Sequence, residues 1–298
     1  MKTSLSVWCF GEVLWDVFPE GKQIGGAPLN VALRLLSLGL DTTIISAIGT
    51  DALGNEALTY IKERELNTAF IQQNELPTGN VPVVLDEKGS ASYTIAKPVA
   101  WDHINYDDRA SDKIASTDAF IYGSLACREE TTRATLKTYL NRANFKIFDV
   151  NLRAPHYEKK VLFELMNKAD MIKFNDEEII LICGMQEKQF DGIEDQVQYI
   201  AQTTDSNTIC VTLGSNGALL YQDGTFYRHS GYKVQVGDTV GAGDSFLASL
   251  VFKLLSKESP EIALDFACAV GALVASKVGA NAPVSQEEVI SIRNQKTN

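Results

Sequence analysis

Short apolar runs alternate with longer stretches whose apolar residues fall on one helical face, and this alternation most narrows what the chain can fold into. The runs are LSVWCF (5–10), TTIISAI (42–48), AFIYGS (119–124), FKIFDVN (145–151), DMIKFN (170–175) and TICVTLG (208–214). Strands apolar along their whole length need cover on both faces, which a mostly parallel sheet flanked by helices supplies. Three of the helical stretches are clear. NVALRLLSLG, from Asn30, stops at Gly39, a helix-ending glycine. EETTRATLKTYLNRA from Glu129 and YEKKVLFELMNKA from Tyr157 each carry one apolar face and one charged face. The fold class expected is α/β.

Two segments break the pattern. Residues 81–96 (VPVVLDEKGSASYTIA) alternate with period two around DEKGS and read as a β-hairpin. With the stretch from Trp15 to Ile24 they are expected to form a small sheet standing off the main body. GALLYQDGTFYRHS, from Gly217, reads as a second hairpin turning at Asp223 and Gly224. No repeat, low-complexity tract or linker divides the chain, so residues 1–298 are read as one domain.

Composition excludes several functions. A chain of 298 residues with 45% hydrophobic and 22% charged residues can bury a large core. Its formal net charge of -11 argues against nucleic acid or an acidic membrane surface as partner. Cys9, Cys127, Cys183, Cys210 and Cys268 make no close pair and no metal-ligand spacing, and His103, His156 and His229 lie far apart, so no zinc cluster is expected. Glu12 and Asp16 interrupt the N-terminal apolar run before a secretory core could form, and no stretch reaches the roughly 18 apolar residues of a membrane span. The expected setting is the cytoplasm.

Two glycine clusters carry the chemistry. GGAPLN, Gly25 to Asn30, opens a helix; Gly25 and Gly26 let backbone approach a ligand, and Asn30 offers a donor and an acceptor. A tight turn with Asn30 as N-cap accounts for the same residues. Glu12 and Asp16 stand just past the end of the first strand, where open α/β sheets bind ligands; Asp16 suits a sugar hydroxyl, or is a solvated loop acid.

The second cluster is GDTVGAGDSFLASLVFKLL, Gly237 to Leu255. A helix from Ala242 would gather Phe246, Leu247, Leu250, Val251, Leu254 and Leu255 into one stripe. Backbone N–H groups of Gly241, Ala242 and Gly243 at its head form an anion seat. Asp244 merely complements the helix dipole, or it is a general base taking the proton of an attacking hydroxyl, kept ionised by that dipole. Only the second account uses the glycines, which would hold a transferring phosphoryl group. No GxxxxGK[ST] loop, third glycine of GxGxxG or HRD and DFG pair occurs.

With these residues in place, the sequence resembles the PfkB or ribokinase family of ATP-dependent carbohydrate kinases. GGAPLNVALRLLSLGLDTTIISAIG (25–49) and DTVGAGDSFLAS (238–249) carry the match, with DVNLR (149–153), NDEE (175–178) and TLGSNG (212–217) between them in the family's order. Ser249 is a mild departure, where Ala or Gly is usual.

The resemblance implies a ribokinase-like fold with a β-sheet lid built from about 15–24 and 78–101, which in many members pairs into a dimer. It implies Asp244 as the base and Gly241, Ala242 and Gly243 as the anion hole. Asp16, Gly25, Gly26 and Asn30 would hold the sugar, with Arg153 a counter-charge for substrate or phosphate. Asn175, Glu178, Thr212, Gly214 and Gly217 would serve ATP, Glu178 reaching Mg2+ indirectly, and Asp238 would ligate a monovalent cation such as K+.

GEVLWDVFP followed by GGAPLN is most similar to fructokinases, and Leu14 stands where ribokinase-like members carry asparagine. The expected reaction is therefore phosphorylation of D-fructose by ATP. Ribose, 2-keto-3-deoxygluconate or a nucleoside is the alternative acceptor. A non-catalytic sugar sensor and a nicotinamide-dependent oxidoreductase are the competing classes.

Overall fold

The computed structural model describes residues 5–18, 21–85 and 91–295. In its first half the strands are β1 (Ser6–Phe10), β2 (Leu14–Phe18), β3 (Gly21–Gly25), β4 (Asp41–Gly49), β5 (Ile71–Asn74), β6 (Gly79–Leu85) and β7 (Ala91–Tyr93). Then follow β8 (Ala119–Gly123), β9 (Lys146–Asp149), β10 (Met171–Asn175), β11 (Thr208–Thr212), β12 (Ala218–Gln222) and β13 (Thr225–His229). The helices are α1 (Ala27–Ser37), α2 (Ala52–Glu63), α3 (Asp108–Ile114), α4 (Glu130–Leu140) and α5 (Lys159–Met166). After them come α6 (Asp176–Met185), α7 (Ile193–Thr204), α8 (Ala242–Leu255), α9 (Pro260–Ala275) and α10 (Gln286–Arg293).

Nine strands form one sheet in the order β13-β12-β11-β10-β9-β8-β1-β4-β5. From β11 to β5 every neighbour is parallel, and the hairpin β12–β13 closes one edge antiparallel. All six apolar runs are strands of this sheet. Its two faces bury different side chains because strand residues alternate. Phe10, Phe120, Phe148 and Phe174 pack under α3 to α7, whereas Cys9, Ile121, Ile147 and Cys210 pack under α1, α2, α8 and α9. The hairpin turns where expected, Asp223 (φ 48°) and Gly224 (φ 89°) both lying in the left-handed region that a two-residue turn needs.

The second sheet has the order β3-β2-β6-β7, so 15–24 and the hairpin do pair into one small sheet. β2 runs antiparallel to β3 and parallel to β6. Its expected turn, 86–90, and residues 19 and 20 lie outside the described residues. Residues 99–101, by contrast, belong to the body: Val99, Ala100 and Trp101 are fully buried in the core beneath the large sheet.

α1 starts three residues earlier than the apolar pattern suggests. Gly26 (φ 107°) is its N-cap and Pro28 lies in the first turn, where a missing N–H costs nothing. Asn30 therefore sits inside the helix and does not cap it. α8 begins at Ala242 as expected, with Gly241 as a left-handed N-cap (φ 74°). Seven consecutive residues, Ser245 to Val251, are buried, so this helix is enclosed on more sides than one stripe implies.

Candidate active site

The carboxyl ends of β1, β9 and β10, the start of the small sheet and the heads of α1 and α8 converge on one place. Gly241 makes the entry to α8 possible: besides its positive φ, a Cβ there would lie 2.5 Å from the Cα of Ala280. Arg34, buried and four residues after Asn30 on α1, donates through Nε to Ser245 Oγ (3.1 Å) and through Nη2 to the Ala282 carbonyl (2.7 Å). The head of α8 is thus tied to α1 on one side and to the 280–282 loop on the other.

Asp244 is half-buried at this head. Asn30 Nδ2 donates to its Oδ2 at 2.8 Å, and Asn281 Nδ2 donates to Asn30 Oδ1 at 3.0 Å, so the amide of Asn30 is oriented by a relay. Burial raises the Asp244 pKa to about 6, and Asp149 nearby adds to the rise; the Asn30 hydrogen bond, Lys173 and Arg153 pull the other way. The helix dipole therefore does not hold this carboxyl low, as the sequence suggested: desolvation outweighs it. A carboxylate half-ionised near pH 6 is mostly charged at neutral pH and still a usable proton acceptor.

Glu12, past the end of β1, is 4% exposed, and its Oε2 has no hydrogen-bond partner among the described residues. Burial lifts its pKa to about 7, against the pull of Arg153. Asp16 on β2 is half-buried and also raised, burial again outweighing Arg153. Gly25 faces Asp16 so closely that a Cβ would stand 2.8 Å from its Oδ2, and at Gly26 a Cβ would meet the Glu12 carbonyl at 2.3 Å. The glycine pair thus keeps the chain close to both acids. Arg153 is exposed and lowers Glu12, Asp16 and Asp244 alike, which makes it the cation shared by all three.

Asn175 and Glu178 form a reciprocal cap at the start of α6. Asn175 Oδ1 accepts from the Glu178 N–H (2.7 Å), and Glu178 Oε2 accepts from the Asn175 N–H (2.8 Å). Glu178 Oε1 accepts from the Leu152 N–H (2.8 Å), which fixes the loop carrying Arg153. Thr212 is the register partner of Asn175 on β11. Gly214 (φ 57°) and Gly217 (φ 84°) make the tight loop after it, and a Cβ on Gly217 would stand 2.0 Å from the His229 carbonyl. These two follow β11, one strand further out than Asn175. Asp238 closes a different loop, its Oδ1 accepting from Val240 N–H (3.0 Å) and its Oδ2 from Gly279 N–H (3.1 Å).

Four participants had no role in the sequence reading: Arg34, Asn281, Asp149 and Lys173. Lys173 Nζ donates to Asp149 Oδ1 at 2.9 Å beneath the α8 turn. The signal for Arg34 was there, a charge on the Asn30 face of α1. For Lys173 it was a charge inside an apolar strand.

A large, mostly parallel α/β sheet with a small sheet beside its carboxyl edge, and a half-buried carboxylate at a glycine-led helix head between them, defines a ribokinase-like fold. Over residues 4–287 the sequence matches the pfkB family carbohydrate kinases, and the chain belongs to that family. It is 28% identical over 297 residues to a fructokinase of Escherichia coli, covering 93% of this chain and 95% of that one. It is 27% identical over 294 residues to a putative sugar kinase of Pyrococcus horikoshii, covering 95% and 90%. The crystal structure of that sugar kinase in complex with ATP superposes with a TM-score of 0.82 over 96% of this chain and 97% of the other, at 27% identity. A fructokinase of Xylella fastidiosa shares the fold with a TM-score of 0.84 at 22% identity, over 96% and 97%. The protein is a pfkB-type sugar kinase. Among the described residues no helix is long and apolar enough to cross a membrane, and all five cysteines are free and buried.

Proposed function

We propose that this kinase transfers the γ-phosphoryl group of MgATP to a hydroxyl of a small sugar, D-fructose first among the candidates. The observation that carries this is Asp244, oriented by Asn30 at the glycine-led head of α8. Its carboxylate takes the proton of the incoming hydroxyl while the N–H groups of Gly241 and Gly243, with that of Ala242 once it gives up the Thr239 carbonyl (3.3 Å), receive the phosphoryl oxygens. Asp16, Gly25, Gly26 and Asn30 would border the sugar, with Arg153 offsetting charge on substrate or phosphate. The ATP complex of the Pyrococcus relative supports ATP as donor, and the relatives named fructokinase support fructose. Thr212, Gly214 and Gly217 would line the nucleotide side.

No group of three His, Cys, Asp or Glu side chains able to hold a metal ion occurs among the described residues. Magnesium would travel on the nucleotide phosphates, with Glu178, its carboxylate held in place by the Leu152 and Asn175 N–H groups, reaching it through water. Each Asp238 oxygen keeps a lone pair, which leaves it able to share a monovalent cation. The small sheet would act as a lid that keeps water from competing for the phosphoryl group. A homodimer joined through it is proposed on the resemblance, and sedimentation showing monomer alone at micromolar concentration refutes it.

The test is ADP release with fructose, ribose, 2-keto-3-deoxygluconate and a nucleoside, run on wild type and Asp244→Asn. Fructose should be turned over fastest, and the variant should bind sugar while turnover falls by about 100- to 10,000-fold. Faster turnover of another acceptor overturns fructose alone. Wild-type turnover by Asp244→Asn overturns the base.

A further inference from the structure

β10 reads Met171-Ile172-Lys173-Phe174-Asn175, and Lys173 is 6% exposed between two parallel neighbours. Alternation turns it toward α1 and α8, since Met171 packs on that face and Ile172 and Phe174 on the other. Asp149, 3% exposed, is its direct register partner on β9 and faces the same way. Their 2.9 Å contact is a buried ion pair within the strand layer. Such pairs gain little stability over apolar residues of the same size, because desolvating both charges offsets their attraction. Stability alone therefore gives a weak reason for this one.

Its place gives a stronger reason. The pair lies at the carboxyl end of the sheet, and Lys173 Nζ is 3.6 Å from where a Cβ on Gly243 would stand, directly under the first turn of α8. Burial favours the neutral amine, yet Asp149, Glu178 and Asp244 around it outweigh burial and keep Lys173 charged. The groups facing Asp244 are Asp149 from β9, Lys173 from β10, Asn30 from α1, Arg153 from the loop after β9 and Glu12 from the loop after β1. Lys173 is the only buried cation among them.

We propose that Lys173 is a positioning residue for phosphoryl transfer: clamped by Asp149, its ammonium is a fixed positive charge under the Gly241–Gly243 seat and behind Asp244. It rests on the reading of Asp244 as base. A charge held in a dry site needs no reorganisation as negative charge gathers on the phosphoryl oxygens, and it acts with less screening than one in water. The same charge keeps Asp244 ionised beside Asp149.

The variants are Lys173→Met, similar in length but uncharged, Lys173→Gln, which can still bond Asp149, and Lys173→Met with Asp149→Asn. Turnover of the best acceptor at saturating substrates is followed from pH 5 to 9, with sugar binding by calorimetry and melting temperature alongside Asp244→Asn. Lys173→Met should bind sugar but lose turnover by about 100-fold or more at pH 7, and its acid limb should move up by about one pH unit or more. The double variant should not recover turnover. If Lys173→Met does not fold, Lys173→Gln carries the same expectation. An acid limb that stays in place, with turnover restored by the double variant, makes the pair structural and overturns the proposal. Should Asp244→Asn be inactive while the limb of Lys173→Met stays put, Lys173 alone is misassigned; an active Asp244→Asn overturns both readings.

Discussion

Alanine at Gly241 and alanine at Gly243 should act in opposite ways, although the two glycines are two residues apart. Gly241 sits at φ 74°, which costs an L-residue about 1–2 kcal/mol. Its new Cβ would also lie 2.5 Å from both Cα and Cβ of Ala280, and relieving that overlap should cost about 1–3 kcal/mol more. Gly241→Ala is therefore expected to lose about 2–5 kcal/mol of stability. Unfolding entropy of about 2.1 cal/mol/K per residue sums to about 0.6 kcal/mol/K over a chain of this size, so the melting temperature should fall by about 3–8 °C.

Gly243 is helical, and its Cβ would make an ordinary 3.6 Å contact with Lys173 Nζ. Alanine there should leave the melting temperature unchanged or raise it by about 1 °C, since alanine favours a helix by up to about 1 kcal/mol. Turnover should nonetheless fall about tenfold or more, because a methyl group crowding the seat need remove only about 1.4 kcal/mol of transition-state stabilisation. Calorimetric melting and ADP-release kinetics on the two variants decide the matter. Full activity in Gly243→Ala refutes the seat, and an unchanged melting temperature in Gly241→Ala refutes the strain argument.

Glu12 ties stability to pH. Its folded pKa of about 7 exceeds its ordinary 4.5, so the folded chain binds this proton more tightly; the resulting destabilisation is absent below about pH 4.5 and complete above about 7. Glu12→Gln should therefore raise the melting temperature at pH 8, by up to about 3 kcal/mol of stability, and change it little at pH 4.5; an equal change at both refutes this. Asn30→Leu removes a charge-assisted hydrogen bond worth about 1.5–3 kcal/mol and should move the acid limb of turnover upward by about 1–2 pH units. A limb left near pH 6 would show that Asn30 does not tune Asp244.

Much of the fold was open to inspection in the residue pattern, because its signals are local. The six apolar runs, both hairpins and the start of α8 all rest on periodicity and turn chemistry within a few residues. β5 went unseen, since IQQN carries neither alternation nor an apolar run. The small sheet ends before the expected 101, because Val99 to Trp101 resemble strand in sequence and only packing puts them in the core. In the site, glycines and acids stood out by composition, while Lys173 was hidden in a strand whose partner lies 24 residues away.

What the sequence by itself determined was the parallel α/β sheet, the glycine-led head of α8, the pair of short sheet segments and the kinase family, all written in local order. Tertiary structure decided the working chemistry. Asn30 meets Asp244 across 214 residues, Glu178 spends both carboxylate oxygens on backbone N–H groups, and Asp244 titrates near 6 because it is desolvated beside Asp149. A local signal such as the helix dipole can be read from the residue order, but desolvation and charge pairing depend on which distant groups come close and how far water is excluded. Those distances exist only once the chain has folded.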